Sequence, residues 1–99
     1  MKVKKDITER GFGIIEFVDL YGTKCNIQKS SLSTKDAIWM GVIDANPQIM
    51  ESKIKDGGTG WVKYPILEDV SLTTRMHLSI SQVKTIIEIL QKFVDTGKI

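Results

Sequence analysis

The sequence predicts an α+β fold, in which an antiparallel sheet of about four to five strands begins with a hairpin and is packed by one C-terminal helix. Three observations predict it. Residues 11–18 are rich in strand-forming types, residues 37–43 are continuously apolar, and apolar residues recur at helical spacing from Val83 onward. A chain of 99 residues can form one hydrophobic core, so we expect residues 1–99 to be a single domain.

The N-terminal hairpin is predicted from β-branched and aromatic residues in 11–18, followed by the turn-forming residues DLYG. On the return strand Cys25 and Ile27 alternate with polar residues, so one face of that strand should be buried. Ile14 and Ile15 are neighbours and must point to opposite faces of the sheet. Both faces should therefore be covered, one by a helix and the other by a loop or a second subunit.

The middle of the chain combines one strand with a long loop. Residues 37–43, AIWMGVI, are bounded by polar residues and predict a central strand. Residues 44–69 contain several glycines and both prolines, which predicts a long irregular loop with only residues 61–64, WVKY, as a short edge strand. Loops of this length in compact domains are usually functional or mobile.

The C-terminal third predicts a half-buried strand and then a helix. In residues 71–78, SLTTRMHL, side chains alternate between two faces, so that Arg75 and His77 share the more polar one. Ser79 precedes Gln82 by three positions, which is the capping-box spacing, and Gly97 suits the left-handed residue that ends a helix. The predicted helix carries the apolar residues Val83, Ile86, Ile87, Leu90, Phe93 and Val94 on one side.

Charge and cysteine content restrict the classes of partner. The net charge is +2, which gives little driving force for coating a nucleic acid or an anionic membrane unless the charge is locally concentrated, so binding to nucleic acid is disfavoured. Cys25 is the only cysteine, which excludes an internal disulfide and fits a reducing compartment. The N-terminus has no apolar signal region and no window has the length of a membrane span, so we expect no membrane association and a cytosolic location.

No catalytic signature is present. His77 is the only histidine, and the candidate nucleophiles Cys25, Ser30, Ser31 and Ser33 do not lie in a known nucleophile motif. Metal-ligand spacings are also absent, and the glycines of RGFG and DGGTG lack the lysine and helix of a phosphate loop. We therefore expect no catalytic residue, no metal and no cofactor.

The best candidate for a binding surface is the face that carries Arg75 and His77, which could hold an anion. Arg10, and Gln28 with Lys29, could add donors if the order of the strands brings these parts of the chain together. The alternative is an ordinary solvated face of an antiparallel sheet.

Aromatic residues could complete such a surface, because an indole can stack on a base while arginine holds a phosphate. Trp39 lies in the apolar run and can equally be a core residue, whereas Trp61 follows a glycine-rich loop and can be exposed. Asn46 could pair with a base edge, although Asn-Pro is also a common way to open a turn.

The sequence of several segments resembles a small family of phage and prophage proteins, many of which have no assigned activity. The resemblance rests on RGF at 10–12, F-x-D-x-Y-G at 17–22, C-x-I-Q-x-S-S at 25–31, DAIW at 36–39 and RMHL at 75–78. The chain is further similar to phage anti-defence proteins that counter Thoeris immunity in the bacterial cytoplasm. Proteins of that class are non-enzymatic homodimers or higher homo-oligomers that sequester a cyclic ADP-ribose isomer or a cyclic oligonucleotide.

The resemblance implies roles for individual residues. Arg10 and Arg75 would meet phosphates, Trp39 or Phe12 would stack on a ring or wall it off, and Asn46 would lie in a loop lid. The segment ESKIKDGGTG matches no part of that family. Two other functions stay open: a small protein-binding modulator of a host enzyme, and a phage accessory protein that binds nucleic acid.

Overall fold

The computed structural model describes all residues, Met1–Ile99, and they form two compact units. The sheet unit comprises Met1–Ile43 and Arg75–Ile99, and the hairpin unit comprises Asp44–Thr74. The expectation of a single domain for residues 1–99 stays a prediction. In chain order the elements are β1 (Lys4–Ile7), β2 (Gly13–Val18), β3 (Lys24–Lys29), β4 (Ala37–Val42), β5 (Gln48–Met50), a 3₁₀ turn (Glu51–Lys53), β6 (Trp61–Lys63), β7 (Arg75–Ser79) and α1 (Ile80–Thr96).

The sheet unit is a five-stranded antiparallel sheet in the order β1-β2-β3-β4-β7, followed by α1. The predicted α+β class and the hairpin are confirmed, and β4 is an interior strand with neighbours on both sides. The turn between β2 and β3 is held by the Asp19 carboxylate, which accepts hydrogen bonds from the backbone N–H groups of Tyr21 and Thr23 at 2.9 Å each. The edge strand β1 was not predicted, because its charged sequence KKDI lacks the pattern of a strand.

Strand pairing separates the side chains of the sheet into a polar face and an apolar face. On the polar face the register places Ile14, Gln28, Trp39 and His77 side by side across β2, β3, β4 and β7. On the apolar face the corresponding row is Ile15, Ile27, Met40 and Met76. Few apolar residues are buried: Cys25, Ala37 and Leu78.

Helix α1 begins and ends as its sequence predicts. The Ser79 hydroxyl accepts from the Gln82 backbone N–H at 3.3 Å, and the Gln82 side-chain oxygen accepts from the Ser79 backbone N–H at 2.9 Å, which completes the capping box. Gly97 adopts φ 71°, and its N–H donates to the Phe93 carbonyl at 2.8 Å. The helix meets the sheet chiefly at β7, and none of its residues is buried.

The hairpin unit contains a second sheet of two antiparallel strands, β5 and β6, in which Ile49 pairs with Val62. The sequence indicated a long irregular loop over 44–69 with one short strand at 61–64, and this stretch contains β5, the 3₁₀ turn and β6. The irregular loop stays a prediction for the remaining residues of the stretch. Nowhere in the chain does a helix have the length and apolar character needed to span a bilayer.

Candidate functional site

Two planar rings lie side by side on the polar face, on β4 and on the edge strand β7. Trp39 on β4 and His77 on β7 are directly opposite each other in the sheet, and their rings stack with centroids 3.9 Å apart and planes 7° from parallel. Since opposite side chains on an antiparallel pair are close enough to touch, this stack follows from the register of the two strands. One face of the indole is therefore covered by the imidazole.

A guanidinium group lies beside this stack. Arg75 Nη1 donates to Gln28 Oε1 at 3.0 Å and to Asn26 Oδ1 at 3.4 Å, and the guanidinium carbon is 5.5 Å from the centre of the Trp39 ring. Both amide side chains belong to β3, two strands away from Arg75. Gly41 occupies the intervening position on β4, where it pairs with Arg75 on one side and Asn26 on the other. Because Gly41 has no side chain, the arginine can cross β4.

The hydrogen bonds of Arg75 have two consequences. They satisfy the side-chain oxygen of Asn26, which is 6% exposed and needs a partner in the interior. They also fix the guanidinium through one nitrogen only, because Nε and Nη2 make no hydrogen bond within the chain. Arginine can present two parallel N–H groups to a phosphate or carboxylate, so a held guanidinium with free donors is suited to an anion.

The ring of His77 is anchored by Ser30, the residue that directly follows β3. Its Nε2 lies 2.9 Å from Ser30 Oγ, which is the separation expected between a serine nucleophile and its base. Ser30 is only 3% exposed, however, and its oxygen already accepts from the Leu32 backbone N–H at 3.3 Å. The Ser30 hydroxyl can then donate to Nε2 of His77. This hydrogen bond positions the imidazole for stacking on Trp39. No group of three or more His, Cys, Asp or Glu side chains could hold a metal ion.

A surface cavity of about 330 Å³ opens beside Trp39. Its lining includes Arg10, Phe12, Gln28 and Trp39, and the Arg10 guanidinium lies over the Phe12 ring at 5.8 Å from the ring centre. His77 does not line this cavity, so the part of Trp39 that faces it is distinct from the face stacked on the imidazole. The volume is at the lower end of the range for small-molecule pockets.

The residues predicted from the sequence fall into three places. Arg10, Phe12 and Trp39 share the cavity, while Arg75 and His77 contact Trp39 from β7. Their roles as ligand-binding residues stay a prediction. Asn46 is exposed and belongs to the hairpin unit, not to the sheet unit that carries the other predicted residues.

Of the two further donors considered on β3, Gln28 belongs to the site and Lys29 does not. Lys29 points to the opposite face and pairs with Asp36, with 2.8 Å between Nζ and Oδ1. The hydrogen bond from Lys29, and its positive charge, lower the pKa of the Asp36 carboxyl below its usual value. This ion pair is solvent-exposed and contributes little to the site.

Three residues of the site were not singled out by the sequence as binding or positioning groups: Asn26, Ser30 and Gly41. Asn26 and Ser30 share the alternation of Gln28, so the period of β3 contained a signal for them. The importance of Gly41 appears only when β3, β4 and β7 are paired.

Comparisons with protein-family models, curated proteins and solved structures give no match for this chain. The resemblance to phage and prophage proteins therefore stays a prediction, and the site is interpreted from its own geometry.

Proposed function

We propose that this chain is a phage-encoded binding protein that sequesters a nucleotide-derived immune signal in the host bacterial cytoplasm and does not convert it. The signal would be a cyclic ADP-ribose isomer or a cyclic oligonucleotide. The observation that carries the proposal is the surroundings of Trp39: the indole lines a cavity together with Arg10 and Phe12, and the held guanidinium of Arg75 lies 5.5 Å from the centre of its ring. This is a combination of aromatic surface and cationic donors that suits a base linked to phosphates.

In the proposed complex a base lies in the cavity against the free part of the Trp39 ring. His77 covers the other face of the indole, and this stacking contact holds the indole in one orientation. A ring that is already fixed loses little conformational entropy when a ligand stacks on it. Phe12 is half-buried in the same cavity and supplies a second apolar wall.

The phosphate groups of the ligand would meet the two arginines, which are the only arginines of the chain. Arg75 is held in place by Gln28 and Asn26 and keeps its remaining N–H groups for an anion. Arg10 is exposed at the rim of the cavity, where it can move towards a ligand. A cyclic ligand with two phosphates would be matched by one cation in the cavity that Trp39 lines and a second cation near the Trp39 ring.

The test is to mix purified protein with cyclic ADP-ribose isomers and cyclic oligonucleotides and to measure binding by calorimetry. The complex is then heated, and the released small molecule is identified by mass spectrometry. Sequestration predicts stoichiometric binding and recovery of the intact ligand. Recovery of a converted product, or absence of binding to every compound of both classes, would overturn the proposal.

Variants make this test specific to the polar face. Arg75→Met keeps the apolar stem of the side chain and removes the charged donors, which should weaken binding about tenfold to a hundredfold. Lys84→Met on α1 removes a cation elsewhere and should leave the affinity unchanged. Equal losses in the two variants would indicate a general effect of charge and contradict the assignment of this site.

A second candidate function is a modulator that binds a host enzyme, and the observation that favours it is the exposure of Trp61. This side chain is 65% exposed in the hairpin unit, and large exposed aromatics are typical of protein contacts. Pull-down of host lysate with the wild-type chain and with Trp61→Ala tests it. A partner retained by the first and lost by the second, together with no bound small molecule, would favour the modulator.

A further inference from the structure

An acidic side chain lines the same cavity as Trp39. Glu9 belongs to this lining together with Arg10 and Gln28. It is exposed, and its carboxylate forms no ion pair with any cation of the chain. Because like charges repel, a carboxylate in this place does not suit the phosphates of a nucleotide. It suits a part of the ligand that carries N–H donors.

The turn between β1 and β2 fixes the backbone that carries Glu9. The Gly11 N–H donates to the Thr8 carbonyl at 2.8 Å, and the Phe12 N–H donates to the Thr8 hydroxyl at 3.0 Å. Glu9 and Arg10 are therefore the two central residues of a closed β-turn. Neighbouring residues thus bring one negative and one positive group to the same cavity, and the two groups form no ion pair with each other. A ligand for such a cavity has a part that donates hydrogen bonds and a part that is anionic.

The amide of Gln28 presents a donor to the cavity. Its Oε1 accepts from Arg75 Nη1 at 3.0 Å, and an arginine side chain has only donors, so the amide oxygen has to face Arg75. The Nε2 group is left for the cavity and makes no hydrogen bond within the chain. Glutamine usually recognises adenine with both amide atoms, the nitrogen donating to N7 and the oxygen accepting from N6. Here the oxygen is directed at Arg75, so this pair of contacts to adenine is not available and the cavity receives the donor.

Among the common bases, guanine best matches one carboxylate and one amide donor. Guanine carries two adjacent donors, N1–H and the 2-amino group, which can both bind one carboxylate, and it offers the acceptors O6 and N7 to an amide N–H. Adenine offers a carboxylate one amino group with a ring-nitrogen acceptor beside it, so it forms one hydrogen bond and one repulsive contact. Cytosine and uracil likewise offer only one donor group. Two parallel hydrogen bonds to a charged acceptor are stronger and more selective than one.

We propose that the base held beside Trp39 is guanine and that Glu9 recognises it through N1–H and the 2-amino group. This inference rests on the proposed function, because it concerns the ligand of the same cavity. Trp39 supplies the stacking surface, Gln28 donates to an acceptor of the base, and Arg10 remains for a phosphate. Glu9 is thus the specificity-determining residue of the site.

This assignment distinguishes between the two classes of ligand in the proposed function. Cyclic ADP-ribose isomers carry adenine, whereas a cyclic oligonucleotide can carry guanine. The cavity has a volume of about 330 Å³, which is small for a ligand site, so it accommodates one base and leaves the sugar–phosphate ring at the rim beside Arg10. A cyclic oligonucleotide that contains guanine is therefore the class of ligand that the cavity favours.

The experiment compares cyclic dinucleotides that share one sugar–phosphate ring and differ only in the base. They are cyclic di-GMP, cyclic di-AMP and cyclic di-IMP, the last of which has a base without the 2-amino group. In calorimetry with the wild-type chain, cyclic di-GMP should bind about tenfold more tightly than either of the others, because a site that pairs with a donor rejects an analogue that lacks it.

Two variants of the full chain make the comparison specific to Glu9. Glu9→Gln should weaken binding of cyclic di-GMP about tenfold and leave the binding of cyclic di-AMP within about threefold of the wild type. Glu16→Gln is the matched control, because it makes the same change of charge on β2 at a residue that does not line the cavity. It should retain the full preference for guanine.

The outcomes separate guanine recognition from sequestration itself. If cyclic di-GMP binds no more tightly than cyclic di-AMP or cyclic di-IMP, or if only cyclic ADP-ribose isomers bind, sequestration stands and guanine recognition by Glu9 is overturned. A preference for guanine that persists in Glu9→Gln shows that another residue recognises the base, which also overturns the assignment. Absence of binding to every compound overturns both proposals. The wild-type comparison decides the choice of base even if a variant fails to fold, and circular dichroism checks folding of each variant.

Discussion

Arg75 reaches Asn26 across β4, with 3.4 Å between Nη1 and Oδ1, at the one position of that strand where the intervening residue has no side chain. The two residues are 49 positions apart in the sequence. This contact ties the edge strand β7 to β3 and places a cation next to Trp39. It is the structural basis of the polar face, and it connects the stability of the sheet to the proposed binding of an anion.

Arg75→Met should destabilise the sheet unit. Asn26 is buried and would lose the donor to its side-chain oxygen, so we expect the free energy of unfolding to fall by about 1–3 kcal/mol. The measurement is denaturant unfolding at one fixed protein concentration, followed by circular dichroism. Arg10→Met is the control, because Arg10 is exposed and makes no hydrogen bond in the chain, and its change should stay within about 0.5 kcal/mol. Equal destabilisation by the two variants would contradict the role of the Arg75 contacts.

Gly41→Ala should be destabilising for two reasons. Gly41 has φ 153°, a backbone conformation that residues with a Cβ adopt at a cost of about 1–3 kcal/mol, and the new methyl group would stand where Arg75 crosses the strand. Thermal unfolding of Gly41→Ala and of the double variant Gly41→Ala with Arg75→Met separates the cost of backbone strain from the cost of displacing Arg75. If the methyl group displaces the arginine, the double variant loses less than the sum of the single losses.

Gly13→Ala provides the control for this prediction, because Gly13 also lies in the sheet but has open space around its Cα and no positive φ. It should unfold within about 1 kcal/mol of the wild type. Full additivity between Gly41→Ala and Arg75→Met would show that Gly41 does not act through Arg75.

His77→Ala should expose the covered face of the Trp39 indole. In a Trp61→Phe background Trp39 is the only tryptophan, so its emission reports on this site alone. We expect a red-shifted emission and stronger quenching by iodide, because an aromatic ring that loses its stacked neighbour gains contact with water. His77→Phe keeps an aromatic ring in the same place and should retain most of the protection. Unchanged quenching in His77→Ala would contradict the stacked arrangement.

The sequence by itself determined the local elements of this protein. The capping box at Ser79, the alternation of β3 and β7 and the apolar run of β4 depend on residues close together in the chain, and each element was predicted from them. Alternation also placed Arg75 and His77 on one face before any strand pairing was known. β1 and β5 were missed because KKDI has no apolar pattern and β5 has only three residues.

Only the tertiary structure decided which of these elements lie side by side. The stack of Trp39 on His77, the burial of Asn26 and the crossing at Gly41 all depend on the register of β3, β4 and β7. Register is set by pairing between distant segments, and a shift of one residue would send each of these side chains to the other face. Local periodicity therefore indicates which face a residue occupies, whereas pairing between strands determines its neighbours.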